Sequence, residues 1–328
     1  MIIEFKIDKF DTYLIDIAKQ FNTSIVNNTV ILPEDIGNGM ITYINFNDQF
    51  ILSFFEFSLN QSAKIIRKKS DNCDILPLLF WLSNSEIVHE PDTSKNYIGK
   101  DEPNGIFFLS NNIETSYFFP ANRMIKNVSI IVSKKWLKEN VSKNNNYLNR
   151  NVLLDNPSFI MFESIHSDML AVSEKINDIF QHKNEYSIPK LKLNYLSLEL
   201  LTMFFDKLLN RNLEKHDAIL NQSEIVKMFT VRKILSGRFI EIPSIDAIAQ
   251  EIGMNKRKIQ KYFKQIFGLS VYQYALSVKM NEAKKLLTTK KYSVSEVGYL
   301  VGYSNLSHFT ETFKKQFGST PKRYISSI

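Results

Sequence analysis

Lys256, Arg257, Gln260, Lys261 and Lys264 recur at the spacing that sets them along one side of a helix, and each of these side chains donates hydrogen bonds. Ile259, Phe263 and Phe267 fall on the opposite side, so an apolar face would hold the helix while donors point outward. Such a face repels itself until an anion covers it. The acceptors that match it are the phosphates of a duplex and the base edges of its major groove, above all guanine O6 and N7. A second set follows, in which Leu306, Ser307, His308, Glu311, Lys314 and Lys315 point outward and Phe309, Phe313 and Phe317 inward. This face is less basic, and the first set is expected to contribute more affinity. The chemistry is recognition, not turnover.

Each set needs a rigid element to aim it, and the chain supplies one twice. Laid on itself at an offset of 49 to 50 residues, it matches Ile245, Ile248, Ala249 and Ile252 to Val294, Val297, Gly298 and Val301, the i, i+3, i+4, i+7 stripe of a short amphipathic helix. Each stripe ends in a turn, Gly253-Met254-Asn255 or Gly302-Tyr303-Ser304-Asn305, and a second helix follows that stops at Gly268 or Gly318. A short helix, a tight turn and a second helix with one apolar and one polar face are the parts of a helix-turn-helix reader. Between the copies, Tyr274, Val278, Ala283, Leu286 and Leu287 mark a helix from Val271 to about Thr288, roughly 27 Å long at 1.5 Å per residue. Two readers held apart by that rod would meet adjacent major grooves, about 34 Å apart, or bend the duplex toward that spacing. Lys256, Lys258, Lys264, Lys284, Lys285, Lys314 and Lys315 are expected to neutralise phosphates.

The chain of 328 residues carries 41 Lys plus Arg against 34 Asp plus Glu, and the excess sits at its end. Residues 221–328 hold 18 basic and 7 acidic side chains, whereas residues 1–220 hold 23 and 27. A basic terminal third on a mildly acidic body points to a polyanion-binding module joined to a part with another task. The length implies two or three folded units, and 44% hydrophobic with 23% charged residues exclude a disordered or fibrous chain. The longest apolar run, Ile75 to Leu82, is far short of the roughly 20 residues that cross a bilayer, so no membrane partner is expected. Glu4 and Asp8 interrupt the order of a secretory signal, which predicts a cytoplasmic protein. Cys73 is the single cysteine and allows no intrachain disulfide.

Strands are predicted over Met40–Phe46, Ile51–Phe57, Ala63–Lys68, Leu76–Leu82, Ile106–Leu109, Thr115–Phe119 and Val128–Val132, with turn residues between them, as in a sandwich or small barrel. Helices are predicted over Ser158–Phe180 and Lys190–Asn212. The second is apolar on two sides, Leu191, Tyr195, Leu198, Phe205 and Leu209 on one and Leu193, Leu196, Leu200 and Phe204 on the other. Either a second subunit or the rest of the chain would cover the surplus. Candidates for catalysis are few: His89 is the only histidine before residue 166, and Cys73 has no neighbouring histidine to activate it. No P-loop, GxGxxG, GxSxG or HExxH occurs, so neither a metal nor a cofactor is expected. Phe54, Phe55, Phe57, Phe80, Trp81, Phe107, Phe108, Tyr117, Phe118 and Phe119 read as core, with the lining of an apolar ligand pocket as the alternative, and Arg123 with Lys126 as an anion site or a solvated loop.

In its last hundred residues the chain resembles the AraC/XylS family of bacterial transcription regulators, over about 224–328. The Ile248-Ala249 pair, the strings Phe263 to Gly268 and Phe313 to Gly318, the run from Tyr274 through Lys279 and Ala283 to Leu287, and Gly302-Tyr303 through Pro321 and Tyr324 carry the likeness. The resemblance implies a seven-helix domain, with base contacts from Arg257, Gln260 and Lys261 in the first recognition helix and from Leu306, Ser307, His308 and Glu311 in the second. The family usually has arginine where this chain has Lys261 and Glu311, and a carboxylate at 311 would accept from cytosine or make no base contact. The β region resembles the cupin-like sensors of many members. The expected architecture is therefore α+β and multidomain: a cupin-like β-rich sensor over 1–154, dimerisation helices over 155–215, a linker over 216–223 and an all-α double helix-turn-helix domain over 224–328. The implied function is sequence-specific, effector-responsive regulation by a homodimer on double-stranded DNA, with RNA polymerase as a further partner. Two alternatives stay open, a ligand-modifying or repair enzyme that uses this domain for DNA targeting, and an architectural DNA-bending protein without a ligand.

Overall fold

The computed structural model describes residues 1–10, 12–72, 74–83, 87–90, 97–100, 102, 104–141, 158–182, 186–209, 220 and 222–326. It divides into two units, Met1–Val226 and Lys227–Ile328.

In the first unit the chain runs through β1 (Ile2–Phe5), α1 (Tyr13–Gln20), β2 (Ile25–Val26), β3 (Thr29–Ile31), β4 (Gly37–Asn47), β5 (Phe50–Leu59), β6 (Ala63–Arg67), β7 (Ile75–Trp81), β8 (Ile87–Glu90), β9 (Tyr97–Ile98), β10 (Ile106–Leu109), β11 (Thr115–Phe119) and β12 (Ile125–Ser133). There follow α2 (Lys134–Asn140), β13 (Ile160–Glu163), α3 (Ser167–Gln181) and α4 (Pro189–Leu209). The strands form an eight-stranded sheet in the order β13-β10-β7-β12-β5-β4-β3-β2 and a five-stranded sheet in the order β1-β6-β11-β8-β9. Every pairing is antiparallel except β1 with β6.

The period of two along each strand sorts the aromatics between two layers. Phe54, Phe80 and Phe108 face α3 and α4, where Phe54 stacks on Phe180 at 4.9 Å and Phe108 meets Phe204 edge-on at 5.5 Å. Phe55, Phe57, Trp81, Tyr117 and Phe119 point between the sheets, with Trp81 at 5.2 Å from Tyr117 and 5.9 Å from Phe119. Since the large sheet is covered on both faces, its strand β7 is apolar throughout, and all seven of its residues are buried. Phe118 departs from the core reading, being 38% exposed.

Two stretches differ from the sequence expectation. Ile160–Glu163 is a strand paired with β10 (Phe107 opposite Phe162), where a helix from Ser158 was expected, and the helix starts at Ser167. A four-residue apolar run has no period of its own, and the free edge of β10 decides it. At the N-terminus, α1 buries Tyr13, Leu14, Ile17 and Ala18, an i, i+1, i+4, i+5 pattern that is legible in the sequence but only two turns long. The linker expected over 216–223 falls outside the described residues apart from Leu220, Gln222 and Ser223, and the last two open the next helix.

That helix, α5 (Gln222–Gly237), contains the division between the units. The second unit continues with α6 (Ile245–Ile252), α7 (Lys256–Phe267), α8 (Val271–Thr288), α9 (Val294–Leu300), α10 (Leu306–Phe317) and α11 (Pro321–Ser326). Among the described residues no helix is long and apolar enough to cross a membrane.

Candidate nucleic-acid interface

Helices α6 and α7 form the first helix-turn-helix. Ser244 caps α6 by accepting from the Ala247 N–H at 3.2 Å, and Asn255 caps α7 by accepting from the Arg257 N–H at 2.8 Å. Asn255 thus fixes the first turn of the helix that carries the donors. Ile259, Phe263, Ile266 and Phe267 are buried, and Tyr274 at the start of α8 meets Phe263 at 5.3 Å and Phe267 at 5.7 Å. The opposite side of α7 is open: Lys256, Arg257, Lys258 and Gln260 are exposed, and Lys261 and Lys264 are half-buried.

Helices α9 and α10 repeat the arrangement. Ser293 and Glu296 form a reciprocal capping box, and the Ser293 backbone N–H holds the Glu296 carboxyl below its usual range. Asn305 accepts from the N–H groups of Ser307 at 2.9 Å and His308 at 3.1 Å. Phe309 and Phe313 are buried against Met280, Ala283, Leu287, Val297 and Val301. Two glycines let the halves close. Gly298 sits where a Cβ would come within 2.6 Å of Leu306 Cδ2, and Gly302, at φ +80°, where one would come within 2.7 Å of the Ile240 carbonyl oxygen.

The outward residues of the second copy are less uniform than their spacing implies. Ser307, His308, Glu311, Lys314 and Lys315 are exposed, whereas Leu306 is half-buried over Gly298 and so forms part of the joint between α9 and α10. The His308 ring lies 5.4 Å from the ring of Tyr303. Several of the expected phosphate lysines already have partners within the unit: Lys256 pairs with Asp246 at 2.9 Å and Lys285 with Glu282 at 2.9 Å. Lys284 lies over the rings of Phe317 and Tyr324 at 5.4 and 5.9 Å, and Lys258 lies 5.9 Å from the centre of the Tyr262 ring.

Three polar residues that carry no outward function tie the readers to the rod between them. Lys279 is 7% exposed, donates to the Ile240 carbonyl at 3.1 Å and lies over the Tyr303 ring at 5.3 Å; burial pushes its pKa down. Gln316 of α10 reaches Asn281 Oδ1 of α8 at 3.1 Å. Asn281 is itself 6% exposed. Only the place of Lys279 in the Tyr274–Leu287 run singles it out in the sequence.

The side chain of His89 and all of Cys73 lie outside the described residues. Among the described residues, no three His, Cys, Asp or Glu side chains gather as metal ligands would.

Comparison with known proteins matches residues 248–327 to a helix-turn-helix domain. The chain is 28% identical over 108 residues to the Msm operon regulatory protein of Streptococcus mutans, a match over 33% of this chain and 39% of that protein. It is 25% identical over 158 residues to the HTH-type transcriptional activator RhaS of Escherichia coli, over 48% of this chain and 54% of that protein. The chain thus spans about two fifths to one half of the length of the curated relatives it matches. Among solved structures, a Chromobacterium violaceum transcriptional regulator with an AraC-type DNA-binding domain is 27% identical, over 32% of this chain and 95% of that one, with a TM-score of 0.31.

Proposed function

We propose, on the premise that residues 248–327 are a helix-turn-helix domain of the AraC/XylS type, that this chain is a sequence-specific DNA-binding transcription regulator and not an enzyme. The observation that carries the reading is the pair of capped helices α7 and α10, each anchored by buried phenylalanines and each presenting polar side chains to solvent from one helical unit. Arg257, Gln260 and Lys261 read bases from α7, and Ser307, His308 and Glu311 from α10; Leu306 supports the second set by packing. Lys256, Lys258, Lys264, Lys284, Lys285, Lys314 and Lys315 meet phosphates.

Selection of bound duplexes from a random pool tests this directly. A recovered site with two boxes about one helical turn apart is the expected result, and a pool that never converges rejects sequence-specific reading. Arg257→Ala should then cost about 1 to 3 kcal/mol at one or two base positions, whereas Lys314→Ala should weaken every sequence alike. Equal losses from both on all sequences would remove the division of roles. Lys314 is the better probe of the phosphate set than Lys285, whose charge is already balanced by Glu282.

The first unit serves as an effector-responsive sensor that dimerises through α4, and the protein acts in the cytoplasm, where RNA polymerase is a further partner. Support for dimerisation is the outer side of α4: Leu191 is 63% and Tyr195 62% exposed, with Leu198 in line, while Leu193, Leu196, Leu200 and Phe204 are buried beneath, as is Phe205, which the spacing had put on the outer side. Replacing Leu191 and Tyr195 together by lysine should convert a dimer into a monomer in sedimentation analysis without changing the circular dichroism of the folded chain. A dimer that survives both changes would place the contact elsewhere.

A further inference from the structure

Two spaces lined by described residues of the first unit differ in what they could hold. The cavity between the sheets is only about 50 Å³ and lined by apolar side chains, among them Phe55, Trp81 and Tyr117. A groove of about 900 Å³ lies outside it, between the end of the large sheet and α3, within the range of about 300 to 1,000 Å³ of small-molecule sites. One wall is cationic: Lys100, Arg123 and Lys126 line it, and Ser83 joins them, its carbonyl accepting from the Lys100 N–H and its hydroxyl bonding to the Lys126 backbone. The other wall is the Leu170, Glu174, Asn177, Asp178 stripe of α3.

The charges on these walls are separated by sign, with the cations on one and the carboxylates of Glu174 and Asp178 on the other. Lys126 is paired with Glu56 at 2.6 Å, and Asp178 accepts from the Tyr186 hydroxyl, which holds its carboxyl below the usual range, and lies 3.1 Å from His182 Nδ1. Lys100 and Arg123 have no side-chain hydrogen bond or ion pair with another described residue, and Oδ1 of Asn177 is buried without a hydrogen bond among the described residues. Among the described residues, two cations without a side-chain partner on one wall and the exposed Glu174 carboxylate on the other suit a ligand that is anionic at one end and carries hydrogen-bond donors at the other. Met124 and Leu170 provide apolar surface between the two.

We propose that this groove binds a phosphorylated polyol, a sugar phosphate, with the phosphate on Lys100 and Arg123 and hydroxyl groups donating to Glu174. As the effector site of a regulator it rests on the function proposed above; the binding itself does not, and is measured without DNA. Calorimetry of the full chain with glucose 6-phosphate, fructose 6-phosphate and glycerol 3-phosphate tests it, with glucose and inorganic phosphate as comparisons. At least one phosphorylated polyol should bind more tightly than either comparison. Arg123→Ala and Lys100→Ala should each weaken that binding about tenfold or more, and Glu174→Gln several-fold. Because the basic face of α7 could also attract phosphate, the Arg257→Ala, Lys261→Ala double variant should bind the sugar phosphate as the parent does. The proposal fails if none of the three ligands binds, if glucose or inorganic phosphate binds as well, or if the recognition-helix variant loses binding while Arg123→Ala keeps it. Unchanged circular dichroism of Arg123→Ala, whose side chain is exposed, shows that the loss is not misfolding.

Discussion

Raising the salt concentration from 50 to 200 mM should weaken the complex with a selected duplex about a thousandfold, or about 4 kcal/mol. Each neutralised phosphate contributes about −0.9 to the slope of log affinity against log salt, so about six contacts give a slope near −5. The structure narrows which lysines supply them. Lys314 and Lys315 are exposed with no ion pair among the described residues, and they should contribute fully. Lys256 and Lys285 must first leave Asp246 and Glu282, and surface pairs of this kind are worth only about 0 to 1 kcal/mol, so a phosphate can displace the carboxylate at a small cost. Asp246→Asn and Glu282→Gln should therefore tighten binding at low salt by removing that competition. Fluorescence anisotropy across the salt series reads both effects. A slope near zero would mean that the basic face does not lie on the backbone of the duplex.

The donor-bearing face of α7 was legible because it depends on local spacing. Periodic apolar residues fix α6 to α10 within short distances in the chain, and the central helix α8 runs from Val271 to Thr288 as the sequence implies. Strands Ile106–Leu109 and Thr115–Phe119 also appear where alternation puts them. What the sequence hid is what depends on chain distance. The Lys256–Asp246 pair joins residues on either side of a turn, and the Lys279 contact with Ile240 spans 39 positions, so neither leaves a periodic trace. Ile160–Glu163 became a strand because β10 had an edge to fill, which no window around residue 160 records. Leu306 matches the outward pattern of α10 by spacing alone, but the missing side chain at Gly298 draws it inward. The groove lined by Lys100, Arg123 and Glu174 gathers residues from three distant segments, and only folding puts their charges on facing walls.

Phe309→Ala should cost about 3 to 5 kcal/mol, the range for a large aromatic removed from a packed interior. Phe309 has no exposed surface, and its ring lies 5.5 Å from Tyr303 and 6.0 Å from Phe313 in the cluster that holds α10 against α8 and α9. A unit of about one hundred residues has roughly 5 to 15 kcal/mol of stability in total, so the loss is about a fifth of it or more and should lower its melting temperature by roughly 12 to 40 °C. The two tryptophans give an internal control. Trp81 and Trp136 both lie in the first unit, so their fluorescence reports on the sheets while circular dichroism at 222 nm is weighted toward the helices of the second. The expected result is an early loss of helical signal with an unshifted tryptophan transition; movement of both together would mean that the units unfold as one. Phe263→Ala should show the same separation but act on the other reader, because Phe263 anchors α7 through Phe267 and Tyr274. Footprints on a two-box site below each variant's melting point should lose opposite boxes, since each phenylalanine fixes a different recognition helix to the rod they share.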